Sequence, residues 1–146
     1  MNREQYYSLP LDFRSITKKK DIKVCNFYRS IAQNIFIILT TKFDECRFDP
    51  EFGSEIWEWD FQHIPDQNTW IAQMTKALTK TIIKYETRLY EIEVDMTIQQ
   101  EEMIDKLKTA YRIKRKLEIT IKGFVKETRE PFSFRQSLFL SPISFD

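Results

Sequence analysis

The spacing of apolar residues changes once along this chain, from a helical repeat to a strand repeat, at Tyr85-Glu86-Thr87-Arg88-Leu89. Before this segment, apolar residues recur every three or four positions, which predicts helices with one buried stripe. After it, apolar and polar residues alternate, which predicts strands with one buried face. This order predicts an α+β fold, with two N-terminal helices packed on one face of a small antiparallel sheet of about three strands.

Both predicted helices have recognisable ends. The first begins near Asp21, which can act as its N-cap, and ends near Thr41. Its stripe comprises Val24, Tyr28, Ile31, Ile35 and Ile38. The second begins after Pro65, with Asp66 or Asn68 as its cap, and ends at Tyr85 or Glu86. Its stripe comprises Ile71, Met74, Leu78, Ile82 and Tyr85.

Three strands are predicted after the helices. The first alternates from Tyr90 to Ile98 and carries acidic residues on its polar face, the second runs from Ile113 to Val125, and the third spans Phe132 to Leu140. Residues 126–130 are predicted to form a turn, and the charged segment 99–110 is predicted to include a helical turn around Met103, Ile104 and Leu107. We expect the acidic face of the first strand to lie beside the basic face of the second, because opposite charges stabilise neighbouring strands.

Length and charge limit the class of protein. The 146 residues fit one domain, predicted as residues 21–146, preceded by an N-terminal arm at residues 1–20. The net charge of +1 provides no field for attracting nucleic acid or an anionic membrane. Cys25 and Cys46 are expected to be reduced thiols, which indicates a cytoplasmic protein. The longest apolar run, Ile35–Leu39, is far too short for membrane insertion.

Residue patterns for catalysis are weak. The single histidine, His63, has no second histidine for a zinc site, so we expect neither a metal nor a cofactor. The carboxylates between the helices permit a muramidase as an alternative, although solvated or salt-bridged loop acids are the simpler interpretation. They are Glu45, Asp49, Glu51, Glu55, Glu58 and Asp60. A basic run on the second strand suggests nucleic-acid binding, but pairing with the acidic strand would neutralise it. This run comprises Arg112, Lys114, Arg115 and Lys116.

Glu86 and Arg88 are opposite charges where the second helix gives way to the first strand. Residues two positions apart do not face each other on a helix, but they point the same way on an extended segment. The pair therefore either caps the end of the helix as a local ion pair or contributes to a partner-binding site. The pattern alone favours neither interpretation.

Several segments resemble the small phage-tail baseplate wedge family, which includes the TssE subunit of type VI secretion systems. One is the helix end Asn34–Thr41 followed by the loop Glu45–Ser54. Another is Tyr85-Glu86-Thr87-Arg88-Leu89 followed by Glu91–Val94, where the family typically has Glu-Pro-Arg. The resemblance covers roughly residues 21–140. Thr87 departs from the pattern, because threonine fixes the backbone less rigidly than the family's proline.

The resemblance implies a structural wedge component of a contractile injection machine and no enzymatic activity. It implies docking and nucleation of the contractile sheath by strand addition near Glu86, Thr87 and Arg88, with wedge contacts at Arg47, Phe52 and Gly53. The implied partners are TssB/TssC-like sheath proteins and TssF/TssG/TssK-like wedge subunits, without nucleic acid, small-molecule substrate or direct membrane insertion. Besides the muramidase, an unrelated α+β adaptor is the other alternative.

Overall fold

The computed structural model describes residues 5–59, 66–104 and 111–140. The chain begins with strand β1, helix α1, strand β2 and helix α2, and a short 3-10 turn then leads to helix α3 and strands β3 to β5. In that order the elements are Tyr6–Tyr7, Phe13–Thr17, Val24–Cys25, Phe27–Thr40, Glu55–Glu58, Gln67–Tyr85, Leu89–Ile104, Tyr111–Val125 and Pro131–Phe139. The α+β class and the antiparallel three-stranded sheet are thus confirmed, and α1 and the β1–β2 pair are additions to the prediction.

The first predicted helix corresponds to α2, but its predicted start near Asp21 is wrong. The helix begins after Asn26, whose side chain caps it by accepting the backbone N–H of Arg29 over 2.9 Å. Val24 and Cys25 instead form β2, which pairs with Tyr7 and Tyr6 of β1. The predicted end at Thr41 is confirmed, since Thr41 is the C-cap.

Both predicted ends of the second helix are confirmed in α3. Asp66 is the N-cap and accepts the backbone N–H of Asn68 over 3.1 Å. Glu86 is the C-cap, and its own N–H donates to the carbonyl of Ile82 over 2.8 Å. The 19 residues of α3 bury Trp70, Met74, Leu78 and Ile82.

The large sheet has the order β3-β4-β5, with both pairs antiparallel. Glu93 lies opposite Lys122 as expected, but Asp95 lies opposite Thr120 and Lys116 lies opposite Gln99, so the expected proximity of the acidic and basic faces holds at Glu93 alone among these residues. A bulge shifts the register between Tyr90 and Glu93, and Glu91 there has a φ of 49°.

The segment between the first two strands differs from its prediction. Strand β3 continues to Ile104, so the helical turn predicted around Met103 and Ile104 is wrong, while Leu107 lies outside the described residues. The continued strand pairs with the start of β4, where Ile104 lies opposite Tyr111. Pairing with a neighbouring strand therefore determines the conformation of residues 99–104, most of which are polar or charged.

A single hydrophobic cluster joins the helices to the large sheet. It includes Ile31, Ile35 and Leu39 from α2, the buried side chains of α3, and Leu117, Ile119 and Ile121 from β4. The inward orientation predicted for these three β4 residues is confirmed, since each is fully buried. Ile82 near the end of α3 and Leu89 at the start of β3 belong to the same cluster, so the junction between them is anchored to the core.

The N-terminal segment contacts α2. The ring of Tyr6 lies edge-on to Phe27, with 5.4 Å between centroids. The backbone N–H of Leu9 donates to Oε1 of Gln33 over 2.7 Å. The division into an arm and a domain at residues 20 and 21 stays a prediction.

Candidate docking site at the junction of α3 and β3

Glu86 is buried where α3 ends, with only 1% of its surface exposed. Its carboxylate accepts the backbone N–H of Arg88 over 3.2 Å and the Nε and Nη2 of the same residue, each over 2.8 Å. It also accepts Nδ2 of Asn34 in α2 over 2.9 Å. A buried carboxylate requires such charged and polar donors, because desolvation without them is costly.

Arg88 lies in the turn between α3 and β3 and completes this cluster. Its Nη1 donates to Oγ of Ser30 over 2.9 Å, and its guanidinium lies 5.5 Å from the ring centroid of Phe27 and 5.7 Å from that of Tyr6. Hydrogen bonding to Glu86 raises the pKa of Arg88 above its usual range. The ion pair therefore connects the junction to α2 and to the N-terminal segment.

The three predicted docking residues differ in accessibility. Thr87 is exposed, 27% of the Arg88 side chain is exposed, and Glu86 is enclosed. Tyr7, Leu9 and other residues join them around an open cleft of about 420 Å³. The local ion pair is thus present, and a partner can reach Thr87 and part of Arg88 but not the Glu86 carboxylate.

Two members of the cluster, Ser30 and Asn34, are not among the docking residues predicted from the sequence. They lie four residues apart in α2 and therefore on one side of the helix. Asn34 also donates to the backbone carbonyl of Tyr85 over 3.2 Å. The sequence does show two polar residues at this spacing beside the apolar stripe of the helix. It does not show that they contact Glu86 and Arg88, which lie more than 50 positions later.

The outer edge of β3 begins directly after the junction. The N–H of Lys126 donates to the carbonyl of Arg88 over 2.9 Å, and the backbone groups of successive residues alternate in direction along an antiparallel pair. The N–H of Val125 donates to the carbonyl of Glu130, and the N–H of Leu140 donates to that of Arg115, so alternate residues of β4 from 115 to 125 direct their backbone groups to β5. Lys122 lies between these residues and directs its groups to β3. Glu93, opposite Lys122, therefore directs its backbone groups to β4, and the residue after it directs them away. Among the described strands, only β4 pairs with β3. We define the outer edge of β3 by three residues whose backbone groups point away from β4: Val94, Met96 and Ile98.

The predicted wedge-contact residues occupy different environments in the loop after α2. Arg47 is exposed, Phe52 is half-buried against Tyr85 with 5.0 Å between ring centroids, and Gly53 is buried. Gly53 has a φ of 136°, and a Cβ there would lie 2.6 Å from the carbonyl oxygen of Thr41. Phe52 and Gly53 therefore support the loop, and only Arg47 presents its side chain to solvent.

The loop carboxylates make contacts within the protein. Glu45 accepts the backbone N–H of Lys42 over 2.8 Å, and Asp49 accepts the hydroxyl of Tyr85 over 2.9 Å. Glu51 forms an exposed ion pair with Lys84, and this hydrogen bond raises the pKa of Lys84. Asp60 and His63 lie outside the described residues. The side chains of Arg112 and Lys114 in the predicted basic run also lie outside them.

Comparison with known proteins identifies a related family. A family model described as baseplate wedge protein gp25 matches residues 26–130. No curated protein matches this sequence. The structure is similar to a crystal structure from Geobacter sulfurreducens described as a tail lysozyme, with a TM-score of 0.58 and 19% sequence identity, covering 85% of this chain and 100% of that chain. At this identity the similarity supports the fold alone. Within the described part of the chain, the helices are too short or too polar to cross a membrane.

Proposed function

Because this chain belongs to the baseplate wedge protein gp25 family, we propose that it is a structural wedge component of a contractile injection machine of the type VI secretion kind. In this role it docks the contractile sheath and nucleates its assembly. The family match extends from the N-cap of α2 through the turn before β5. It therefore includes both the ion-paired junction and the strand that follows it.

The outer edge of β3 carries the docking proposal. A partner strand can add to an exposed sheet edge, where backbone hydrogen bonds give affinity and side chains select the partner. The polar face of β3 beside this edge has exposed carboxylates at Glu91, Glu93 and Asp95. A TssB/TssC-like sheath strand with basic residues would complement them.

Glu86 and Arg88 have distinct roles in this proposal. The enclosed Glu86 acts as a positioning residue, because it holds Arg88 and the start of β3 against α2. Thr87 and the exposed part of Arg88 contact the incoming sheath segment. An edge strand that is fixed before binding loses less conformational entropy when the partner strand adds to it.

We also propose that the loop carboxylates have no catalytic role and that the remaining partners are TssF/TssG/TssK-like wedge subunits. Glu45, Asp49 and Glu51 each hydrogen-bond or ion-pair within the protein, which supports a structural role for the loop. The wedge subunits would contact the same loop through its exposed side, including Arg47.

A substitution at Thr87 tests sheath docking without removing the ion pair. Thr87→Trp places a large side chain at the exposed centre of the junction, so we expect assembled sheaths to become at least about tenfold fewer by electron microscopy. Thr17→Trp in α1 is the matched control, since Thr17 is also exposed but lies on another element. Normal sheath numbers with a folded Thr87→Trp protein would contradict docking at this junction.

A further inference from the structure

Phe48 is the most exposed large apolar residue in the described part of the chain. Its surface is 98% exposed, at the tip of the segment between α2 and the 3-10 turn. Phenylalanine is normally among the buried residue types, and it is favoured at the centres of protein interfaces. We define the Phe48 loop as residues 42–54.

The Phe48 loop is held in one conformation by contacts on both sides of its tip. The N–H of Asp44 donates to the carbonyl of Pro50 over 2.9 Å, which closes the loop, and the N–H of Asp49 donates to the carbonyl of Cys46 over 3.3 Å. The Asp49 carboxylate is fixed by the hydroxyl of Tyr85. An apolar side chain on a fixed loop is pre-organised for binding, because little conformational freedom remains to be lost.

Charges around Phe48 indicate the chemistry of its partner. The Phe48 loop contains four carboxylates and two basic residues. Of these, Asp44, Glu45 and Arg47 are exposed beside the tip. This acidic excess opposes approach to an anionic lipid surface, and a single aromatic side chain provides little membrane affinity. An apolar protein pocket with a basic rim complements both the ring and its surroundings.

We propose that Phe48 is an interface anchor that inserts into an apolar, basic-rimmed pocket on a neighbouring wedge subunit. This inference rests on the proposed wedge role, but it assigns that contact to the loop tip rather than to Phe52 and Gly53. It is also separate from sheath docking, which uses the outer edge of β3. The exposed ring makes the loop tip a binding element, while Phe52 supports it from inside through its contact with Tyr85.

The test compares Phe48→Ser with wild-type protein in binding to purified TssF/TssG/TssK-like wedge subunits. We expect the affinity measured by calorimetry to fall about 30-fold or more, as for a central interface residue. Thermal unfolding should be unchanged, since the wild-type ring is exposed. Phe13→Ser is the matched control, because Phe13 is 69% exposed in α1, and it should bind normally.

Several results would overturn the proposal. One is binding of Phe48→Ser to the wedge subunits within twofold of wild type. A second is that Phe48→Ser loses binding to sheath protein but not to the wedge subunits. A third is that wild-type protein self-associates and Phe48→Ser does not. A fourth is that the protein binds anionic lipid vesicles and that this binding depends on Phe48. Val94→Pro, which alters the outer edge of β3, should retain wedge binding. Val94→Pro therefore tests sheath docking, and Phe48→Ser tests the wedge contact.

Discussion

Removing the guanidinium of Arg88 should destabilise the protein, even though Arg88 lies at a surface cleft. The Glu86 carboxylate is only 1% exposed, and in Arg88→Ala it loses the two hydrogen bonds from the guanidinium. It retains those from Asn34 and from the backbone N–H of residue 88, neither of which carries a charge. Leaving one member of a buried ion pair without its partner costs about 3–5 kcal/mol. Since 27% of the Arg88 side chain is exposed, water can partly replace it, and we expect a loss of about 2–3 kcal/mol.

Urea unfolding at pH 7, followed by circular dichroism and tryptophan fluorescence, measures this loss. Agreement between the two signals checks that unfolding is two-state. Glu86→Gln provides the companion variant, because it removes the buried charge while keeping the shape of the side chain. Adding Arg88→Ala to Glu86→Gln should cost at least about 1 kcal/mol less than adding it to wild type, as the two residues are in contact. A loss below about 0.5 kcal/mol for Arg88→Ala would refute the structural role of the pair.

Two further predictions concern Gly53 in the loop after α2 and Asp66 at the start of α3. Gly53→Ala should lower the free energy of unfolding by at least about 2 kcal/mol in the same urea assay, because the new Cβ would lie 2.6 Å from the carbonyl of Thr41 at a φ of 136°. Gly123→Ala, with its nearest contact at 3.1 Å, should cost less, and equal losses would contradict this reasoning. Asp66→Ala should lower the thermal midpoint at pH 7, because hydrogen bonds from Thr69 and from the start of α3 lower the pKa of Asp66. Because the pKa of Asp66 is lower in the folded protein, its contribution to stability is present above the ordinary pKa of about 3.9 and is lost as the pH falls through the folded-state pKa. A difference in thermal midpoint between Asp66→Ala and wild type that persists at pH 2 would contradict this prediction.

The sequence predicts those parts of the fold that depend on local pattern. Asp66 and Tyr85 bound α3 because capping and apolar spacing agree there, and the buried face of β4 follows from simple alternation. The start of α2 could not be predicted, because Val24 continues the helical spacing to Tyr28 although it pairs with Tyr7 of β1. A contact between segments 17 residues apart outweighs the local periodicity.

The candidate site, like the fold, could be predicted only in part from the sequence. The junction of α3 and β3 is visible as a change of period, and the Glu86 and Arg88 pair lies at its centre. The burial of Glu86 was not predictable, because it depends on Asn34 and Ser30 in α2 and on the rings beside Arg88. Local spacing describes which residues are neighbours in the chain, but it does not show which distant polar groups enclose them.

The most direct test of sheath docking removes a single outward N–H from the edge of β3. Val94→Pro removes the outward N–H of residue 94 and leaves the hydrogen bonds between β3 and β4 in place. Proline is tolerated at sheet edges. Val94→Ala controls for lost packing, and Ser133→Pro controls for a proline on β5, at the opposite edge of the sheet. Each protein is first shown to be folded, and assembled sheaths are then counted by electron microscopy. The account predicts that Val94→Pro abolishes sheath assembly while both controls support it, and normal assembly with Val94→Pro would contradict docking by strand addition to β3.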